Sequence, residues 1–246
     1  MENNNERPTE DKDGKKWLSW LNLNSGIVKY LRELSIVIIG VLTTFLISDR
    51  ITDYNRQQEI DGMIKSVKAE MEENLKDLQW VQERWQGERY IFKLMEENRD
   101  NIYLIPGDTL NKYFYAIGAL HNLNIKSESY ELLKGSVLIQ YVKDKELLSD
   151  ISKLYKSLYS LDMQLSTYSS QKRNHFLNPL IENMDDEELR KWNEDTSLEY
   201  AAFISQKKEF RKFILLSETI LSPPDIFENR RKRIIHTIAM LEKKGY

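Results

Sequence analysis

The residues in this sequence best placed to do chemistry are charges that border an apolar run. Glu33 stands immediately before Leu34–Ile47, fourteen residues with no charge. A carboxylate at the edge of hydrocarbon is costly unless it is neutral, paired or lifted to headgroup depth, so such a residue is a functional candidate by position. Two chemistries fit Glu33: a proton relay or helix-pairing contact inside a membrane, and a plain ion pair with Lys29 one turn earlier. Lys29 and Arg32 have stems long enough to carry their charges to the headgroups. Within the run, Gly40, Thr44 and Ser48 recur every four residues, a small-residue stripe of the kind that lets two helices approach closely. Near the C-terminus, Arg230-Arg231-Lys232-Arg233, with Lys243 and Lys244 beyond, makes one helix cationic. That run suits anionic lipid headgroups, nucleic acid or another partner. Its plainer reading is a solvated face paired with neighbouring acids.

Other reactive residue types do not assemble into a motif. His121, His175 and His236 are far apart, with no second histidine or carboxylate at metal-ligand spacing, and read as surface or core histidines. There is no Gly-rich phosphate loop, no Ser-His-Asp arrangement and no pair of catalytic carboxylates. No catalytic residue, cofactor or metal is therefore expected. Trp80, Trp85 and Tyr90 fall at helical spacing and read as core or oligomer contacts, forming a ligand cage only if their rings converge. The chain has no cysteine, which excludes disulfides and thiolate metal sites. A net charge of −3 provides no global field toward nucleic acid, which is not expected as a partner.

The elements that must position these residues are helices. Only 9 Gly and 5 Pro punctuate 246 residues, so the predicted fold is all-α. Residues 1–16 mix both charge signs with almost no apolar side chain and read as a disordered tail. In residues 17–26, Trp17, Trp20 and Leu21 can share one face behind Lys15 and Lys16, as in a segment lying at a membrane surface; a plain linker is the alternative. Residues 27–48 are predicted to be a transmembrane anchor. Leu34–Ile47 is shorter than the roughly 20 residues a span requires. Ile27, Val28, Tyr30 and Leu31 supply two more apolar turns between the snorkelling charges. No small-x-small cleavage site follows Ile47, so a cleaved signal peptide is not expected. Positive charges within twenty residues of the run are tied: Lys15, Lys16, Lys29 and Arg32 before it, Arg50, Arg56, Lys65 and Lys68 after it. Lys29 and Arg32 adjoin the run, which favours a cytoplasmic N-terminus and a periplasmic Asp49–Tyr246.

Residues 49–246 are expected to form one soluble helical domain, long enough to bury a core. Ile60, Ile64, Val67, Met71, Leu75 and Leu78, then Trp85, Phe92 and Met95, recur in steps that fit one long amphipathic helix reaching about Asn98. It ends before a turn at Pro106-Gly107. Asp108 or Thr109 would cap a helix through Leu120, and Ser127 the next. Lys143–Met184 reads as a long helix with Leu147, Ile151, Leu154, Leu158, Leu161 and Leu165 as its stripe. Asp185 and Glu188 match a capping box opening another helix. Further helices are predicted over about Leu198–Leu221, stopping at Pro223-Pro224, and about Asp225–Lys244. Val137–Val142 has the composition of a short strand, with no partner nearby.

Two stretches carry a resemblance. Lys29-Tyr30-Leu31, followed by Glu33-Leu34-Ser35-Ile36-Val37-Ile38-Ile39-Gly40, keeps a glutamate seven residues before a glycine. Tyr130-Glu131-Leu132-Leu133-Lys134-Gly135-Ser136 is followed by Lys143-Asp144-Lys145-Glu146-Leu147. Both resemble a Bacteroidetes family of single-pass membrane proteins built around a domain of unknown function. Arg32 departs from it, since the family has a small residue there, and so does the exit Phe45–Arg50. The resemblance implies an anchored helical protein of a Gram-negative envelope and no activity. Three functional classes follow. The first is a membrane-anchored scaffold or interaction subunit in contact with the lipid bilayer, forming a homo-oligomer or binding an envelope protein. The second is a membrane effector or sensor in stress or phage defence. The third is an enzyme of unrecognised type.

Overall fold

The computed structural model describes residues 25–194, 198–220 and 226–246, and no strand occurs among them. The polar tail, the Trp17–Leu21 segment and Pro223-Pro224 lie outside the described residues. Contacts divide the chain into two units, 1–58 and 59–246.

In the first unit the only described element is the beginning of α1 (Ser25–Glu97). Every side chain from Gly26 to Asn55 is exposed, including Ile36, Val37, Phe45 and Leu46 at 62–67%. This helix contains the one candidate membrane span among the described residues, and none of that apolar window is buried. Its hydroxyls are satisfied within the helix. Ser35 Oγ donates to Leu31 O at 2.7 Å, Thr43 Oγ1 to Ile39 O at 2.7 Å and Thr44 Oγ1 to Gly40 O at 2.9 Å. A hydroxyl bonded to the carbonyl four residues back needs neither water nor a neighbouring helix.

In the second unit the rest of α1 forms one wall of a helical bundle. Its seam of buried positions is Ile60, Ile64, Val67, Met71, Asn74, Leu78, Val81, Trp85, Glu88, Phe92 and Met95, with Gly87 and Ile91 buried beside it. Strictly alternating steps of four and three make a seam of coiled-coil type, repeating every 3.5 residues or so. The expected Leu75 is only partly buried, and the polar Asn74 holds the seam position instead. The second wall is α5 (Lys145–Lys172), buried at Leu147, Ile151, Leu154, Leu158, Leu161, Leu165, Tyr168 and Lys172 with the same steps. Glu70 meets Tyr155 and Glu88 meets Lys172, so α1 and α5 run parallel. The third wall, α10 (Ile226–Lys243), runs the other way, since Phe227 packs on Trp85 while Glu242 reaches Lys68.

Parallel neighbours require a crossover, and residues 98–144 provide it. A short 3₁₀ turn over Ile102–Leu104 leads to α2 (Gly107–Tyr113) and α3 (Tyr115–Gly118). The expected helix through Leu120 is thus capped at Pro106, not at Asp108 or Thr109, and ends at Gly118. An extended segment, Ala119–Ser127, then returns along the bundle to α4 (Glu128–Gly135). Val137–Tyr141 is a 3₁₀ helix, so the strand composition of Val137–Val142 is overridden. With no strand beside it to pair, the segment satisfies its backbone locally.

Beyond α5 the helix continues through a π turn, Arg173–Leu177, into α6 (Asn178–Glu182). Pro179 explains the turn: a proline inside a helix lacks a donor and crowds the carbonyl four residues back, and a wider turn relieves both. The expected capping box opens α7 (Asp186–Glu194): Glu188 N–H donates to Asp185 Oδ1 at 2.8 Å and Asp185 N–H to Glu188 Oε2 at 3.1 Å. The helix expected over Leu198–Leu221 is two, α8 (Leu198–Gln206) and α9 (Lys208–Ile220). Ala201 and Ile204 are buried, and so are Phe210 and Phe213. Six residues separate Ile204 from Phe210, about 240° of rotation on a straight helix. The break at Lys207 brings both pairs into one core.

Candidate functional site

The most concentrated chemistry in the molecule lies where the extended segment crosses the seam between α1 and α5. A buried backbone must find hydrogen-bond partners, and a lone extended segment has no neighbouring strand to provide them. Here side chains take that role. Ser169 Oγ accepts from His121 N–H at 2.7 Å and donates to His121 O at 2.6 Å. Asp162 Oδ1 accepts from Leu123 N–H at 2.9 Å. Asn74 closes a two-way pair with Lys126, accepting from its N–H and donating to its carbonyl, both at 2.8 Å. Glu70 finishes the series by accepting from Ser129 N–H and, at 3.2 Å, Tyr130 N–H at the start of α4. Ser127 occupies the N-cap position as expected, but its side chain makes no cap bond. Glu70, 57 residues earlier, caps the helix from outside. Tyr155 donates to the same carboxylate at 3.0 Å and stacks on Tyr130, centroids 4.1 Å apart.

At the upper end of this series sits a fully buried ionic network. Glu88 and Lys172 are both 0% exposed and His121 is 3% exposed. Glu88 Oε2 lies 2.9 Å from Lys172 Nζ and 2.6 Å from His121 Nε2, while Tyr168 donates its hydroxyl to Oε1. Lys172 Nζ also donates to Ala116 O at 2.9 Å and Ala119 O at 2.7 Å, carbonyls in and just after α3. An ammonium has three donors, and three acceptors meet it. Those carbonyls are the negative end of a short helix, so the charge also caps it. Burial alone would push the Glu88 carboxyl up; the Lys172 ammonium and the bonds from His121 and Tyr168 outweigh it and hold the group below the ordinary carboxylate range. Burial pulls Lys172 down, an effect the Glu88 charge partly offsets. Burial and the Glu88 charge push the Tyr168 hydroxyl up, so it acts as a donor. Phe92 lies 5.2 Å from the ammonium. Phe92 belongs to an aromatic cluster with Phe176, Phe210 and Phe213, whose centroids are 5.4–6.5 Å apart.

Glutamate, histidine and tyrosine in one hydrogen-bonded set are groups that can move protons, yet every strong donor and acceptor of Glu88 and Lys172 is engaged by the protein itself. The set ties α1, α3, the extended segment and α5 into one body. A cleft of about 460 Å³ is lined by Tyr168 and Phe92 together with Arg89, Lys93 and Ser217. A second cleft, of about 560 Å³, shares Tyr90 with the first and opens beside Trp80, Arg84 and Tyr115. No cluster of three metal-ligating side chains occurs among the described residues.

The residues singled out from the sequence lie elsewhere. Lys29, Arg32 and Glu33 are exposed on α1, and no ion pair joins Glu33 to Lys29. Gly40, Thr44 and Ser48 are exposed in the same unit, and nothing lies within 4 Å of where a Gly40 side chain would start. The basic run is divided around α10. Arg230 turns inward to Ser157 O at 3.4 Å and Ile226 O at 2.9 Å. Arg231 forms a two-pronged pair with Glu228 at 2.9 Å, Lys232 approaches the same carboxylate at 3.7 Å, and Arg233 is exposed. Of the histidines, His121 is the core histidine expected, with a carboxylate partner that its sequence neighbourhood does not reveal. Trp85 is core, whereas Trp80 and Tyr90 are exposed. No protein family, curated protein or solved structure matches the chain.

Proposed function

We propose that the protein is a membrane-anchored helical scaffold or interaction subunit of a bacterial envelope complex. In this reading α1 crosses the inner membrane, the N-terminus faces the cytoplasm, and residues 49–246 face the periplasm. The partner is a second copy or another envelope protein. One observation carries the reading: an apolar helix surface exposed all round its circumference, on the same helix whose later turns are buried along one face only. A surface of that size and continuity in water would drive association; in lipid it is at its lowest free energy. The likeness to the anchored Bacteroidetes family supports it, as does the internal bonding of the Ser35, Thr43 and Thr44 hydroxyls. Expressed whole, the protein is expected to pellet with membranes and resist carbonate extraction. Full-length protein that stays in solution without detergent contradicts the proposal.

A second reading, an effector or sensor whose helical domain receives a signal and acts at the bilayer, is favoured by the two open clefts of the bundle. Growth arrest on expression that disappears when residues 27–48 are deleted supports this reading over a passive scaffold.

A further inference from the structure

We infer that the cleft beside Gly87 is a binding site for a small phosphorylated compound with a flat ring, of mononucleotide size. This goes beyond the anchored-scaffold reading and does not depend on it. The argument begins with Arg84. Its guanidinium lies over two rings, 4.6 Å from the Trp80 centroid and 5.0 Å from that of Tyr115. It forms no hydrogen bond or ion pair among the described residues, although the side chain is half-buried. A guanidinium held by its faces keeps its N–H edge free, and that edge matches two oxygens of a phosphate. Lys112 lines the same cleft, 5.1 Å from the Tyr113 ring, and likewise has no carboxylate partner. Two unpaired cations in one cleft call for an anion.

The walls point to a ring. Trp80 is 57% exposed, Tyr115 49% and Tyr90 48%, and all three line the cleft together with Tyr113. Tyr90 and Tyr113 meet edge to face at 5.2 Å. Gly87 forms the floor. A side chain there would start 3.0 Å from Tyr113 Cδ1 and 3.2 Å from Cε1, so the missing Cβ is what lets that ring lie against α1. Glycine is a poor residue for the middle of a helix, and this close approach explains its presence. A cationic ligand is disfavoured because Arg84 and Lys112 already line the cleft. Glu83, exposed and in no ion pair, also lines the cleft and can accept from a hydroxyl or amine of the ligand. A cleft of about 560 Å³ is the size of a small-ligand pocket.

The test is calorimetric titration of the full chain in detergent with adenosine monophosphate, with adenosine and inorganic phosphate titrated separately. Saturable binding of the monophosphate is expected, at least about tenfold tighter than either half alone, because stacking and ion pairing act together. Lys112→Gln and Trp80→Ala, both at exposed positions, are each expected to weaken it about tenfold, and Arg84→Gln more. Lys93→Gln, outside this cleft, should bind as the wild type does. No saturable binding at millimolar monophosphate overturns the inference, as do Lys112→Gln and Trp80→Ala variants that bind unchanged. Inorganic phosphate binding as tightly as the monophosphate overturns the ring requirement.

Discussion

Two stretches of α1 are built from similar residues and meet opposite fates. Over Leu34–Ile47 apolar side chains surround the helix and all are exposed; over Ile60–Met95 most of them follow one seam and are buried, while Trp80 and Tyr90 stay exposed. The polar residues show what separates the two. The first stretch admits only Ser35, Thr43 and Thr44 beside Gly40, and the three hydroxyls bond back to their own helix. The second admits Asn74 and Glu88 at seam positions, buried to 1% and 0%. These cannot be satisfied within α1, and each is met by groups from elsewhere in the fold: Lys126 for Asn74, and Lys172, His121 and Tyr168 for Glu88. A polar side chain is tolerated on an apolar face where a hydrogen-bond partner waits for it. In the first stretch that partner is the local helix, and in the second it is the crossover together with α5.

The comparison can be broken most forcefully at Lys172. Lys172→Met leaves the Glu88 carboxylate buried without its counter-charge, and strips Ala116 and Ala119 of their donor. Removal of one partner of a buried pair is expected to lower stability by about 3–5 kcal/mol. Denaturant unfolding of the full chain in detergent measures it, and membrane extraction of the same variant should be unchanged. Asn74→Ala deprives the part-buried N–H and carbonyl of Lys126 of their partner, an expected loss of about 1–3 kcal/mol. The wild-type side chain at the neighbouring Leu75 is only partly buried, so the larger effect at the polar residue would invert the usual ranking of core positions.

A pH series sharpens the same point. Glu88 is held below its unfolded value, about 4.3 for a free glutamate. Its ionised form therefore contributes stability that is fully present above that pH and fades as the pH falls through the folded value. The stability gap between wild type and Glu88→Gln should be constant near neutrality and narrow below about pH 4. A gap that widens on acidification would mean that Glu88 is buried protonated. The smallest effect belongs to the other stretch. Thr44→Val removes a hydroxyl bonded only to its own helix, and bundle unfolding should shift by no more than about 0.5 kcal/mol.

Much of this architecture is legible in the sequence. The three-four spacing from Ile60 onward and from Leu147 onward marks both walls of the bundle, and the Asp185–Glu188 spacing marks a capping box that forms as read. The site is less legible for a reason that can be named. Between Trp85 and Phe92 the spacing leaves a place for one more seam residue, and Glu88 fills it; after Leu165 the same steps lead to Tyr168 and Lys172. A charge in phase with an apolar stripe is a local sign of a buried network. Its partners are not local, because His121 lies 33 residues from Glu88 and Lys172 lies 84 away. The extended segment Ala119–Ser127 carries no pattern of its own, since its hydrogen bonds are furnished by Ser169, Asp162 and Asn74. The break at Lys207 is equally silent, having neither glycine nor proline, and follows from the need to bury Ile204 and Phe210 together.

The central claim is that the polar residues on the seam serve as hydrogen-bond partners for the crossover backbone. Native-state hydrogen exchange on the full chain tests it amide by amide. His121, Leu123 and Lys126 have no backbone acceptor in a helix or strand, so their amides would exchange within seconds if the side chains did not hold them. The account predicts protection approaching that of the buried turns of α1 and α5, with Asn74→Ala releasing Lys126 while His121 and the helices stay protected. Fast exchange at all three positions in the wild-type protein, above a protected α1 and α5, would contradict it.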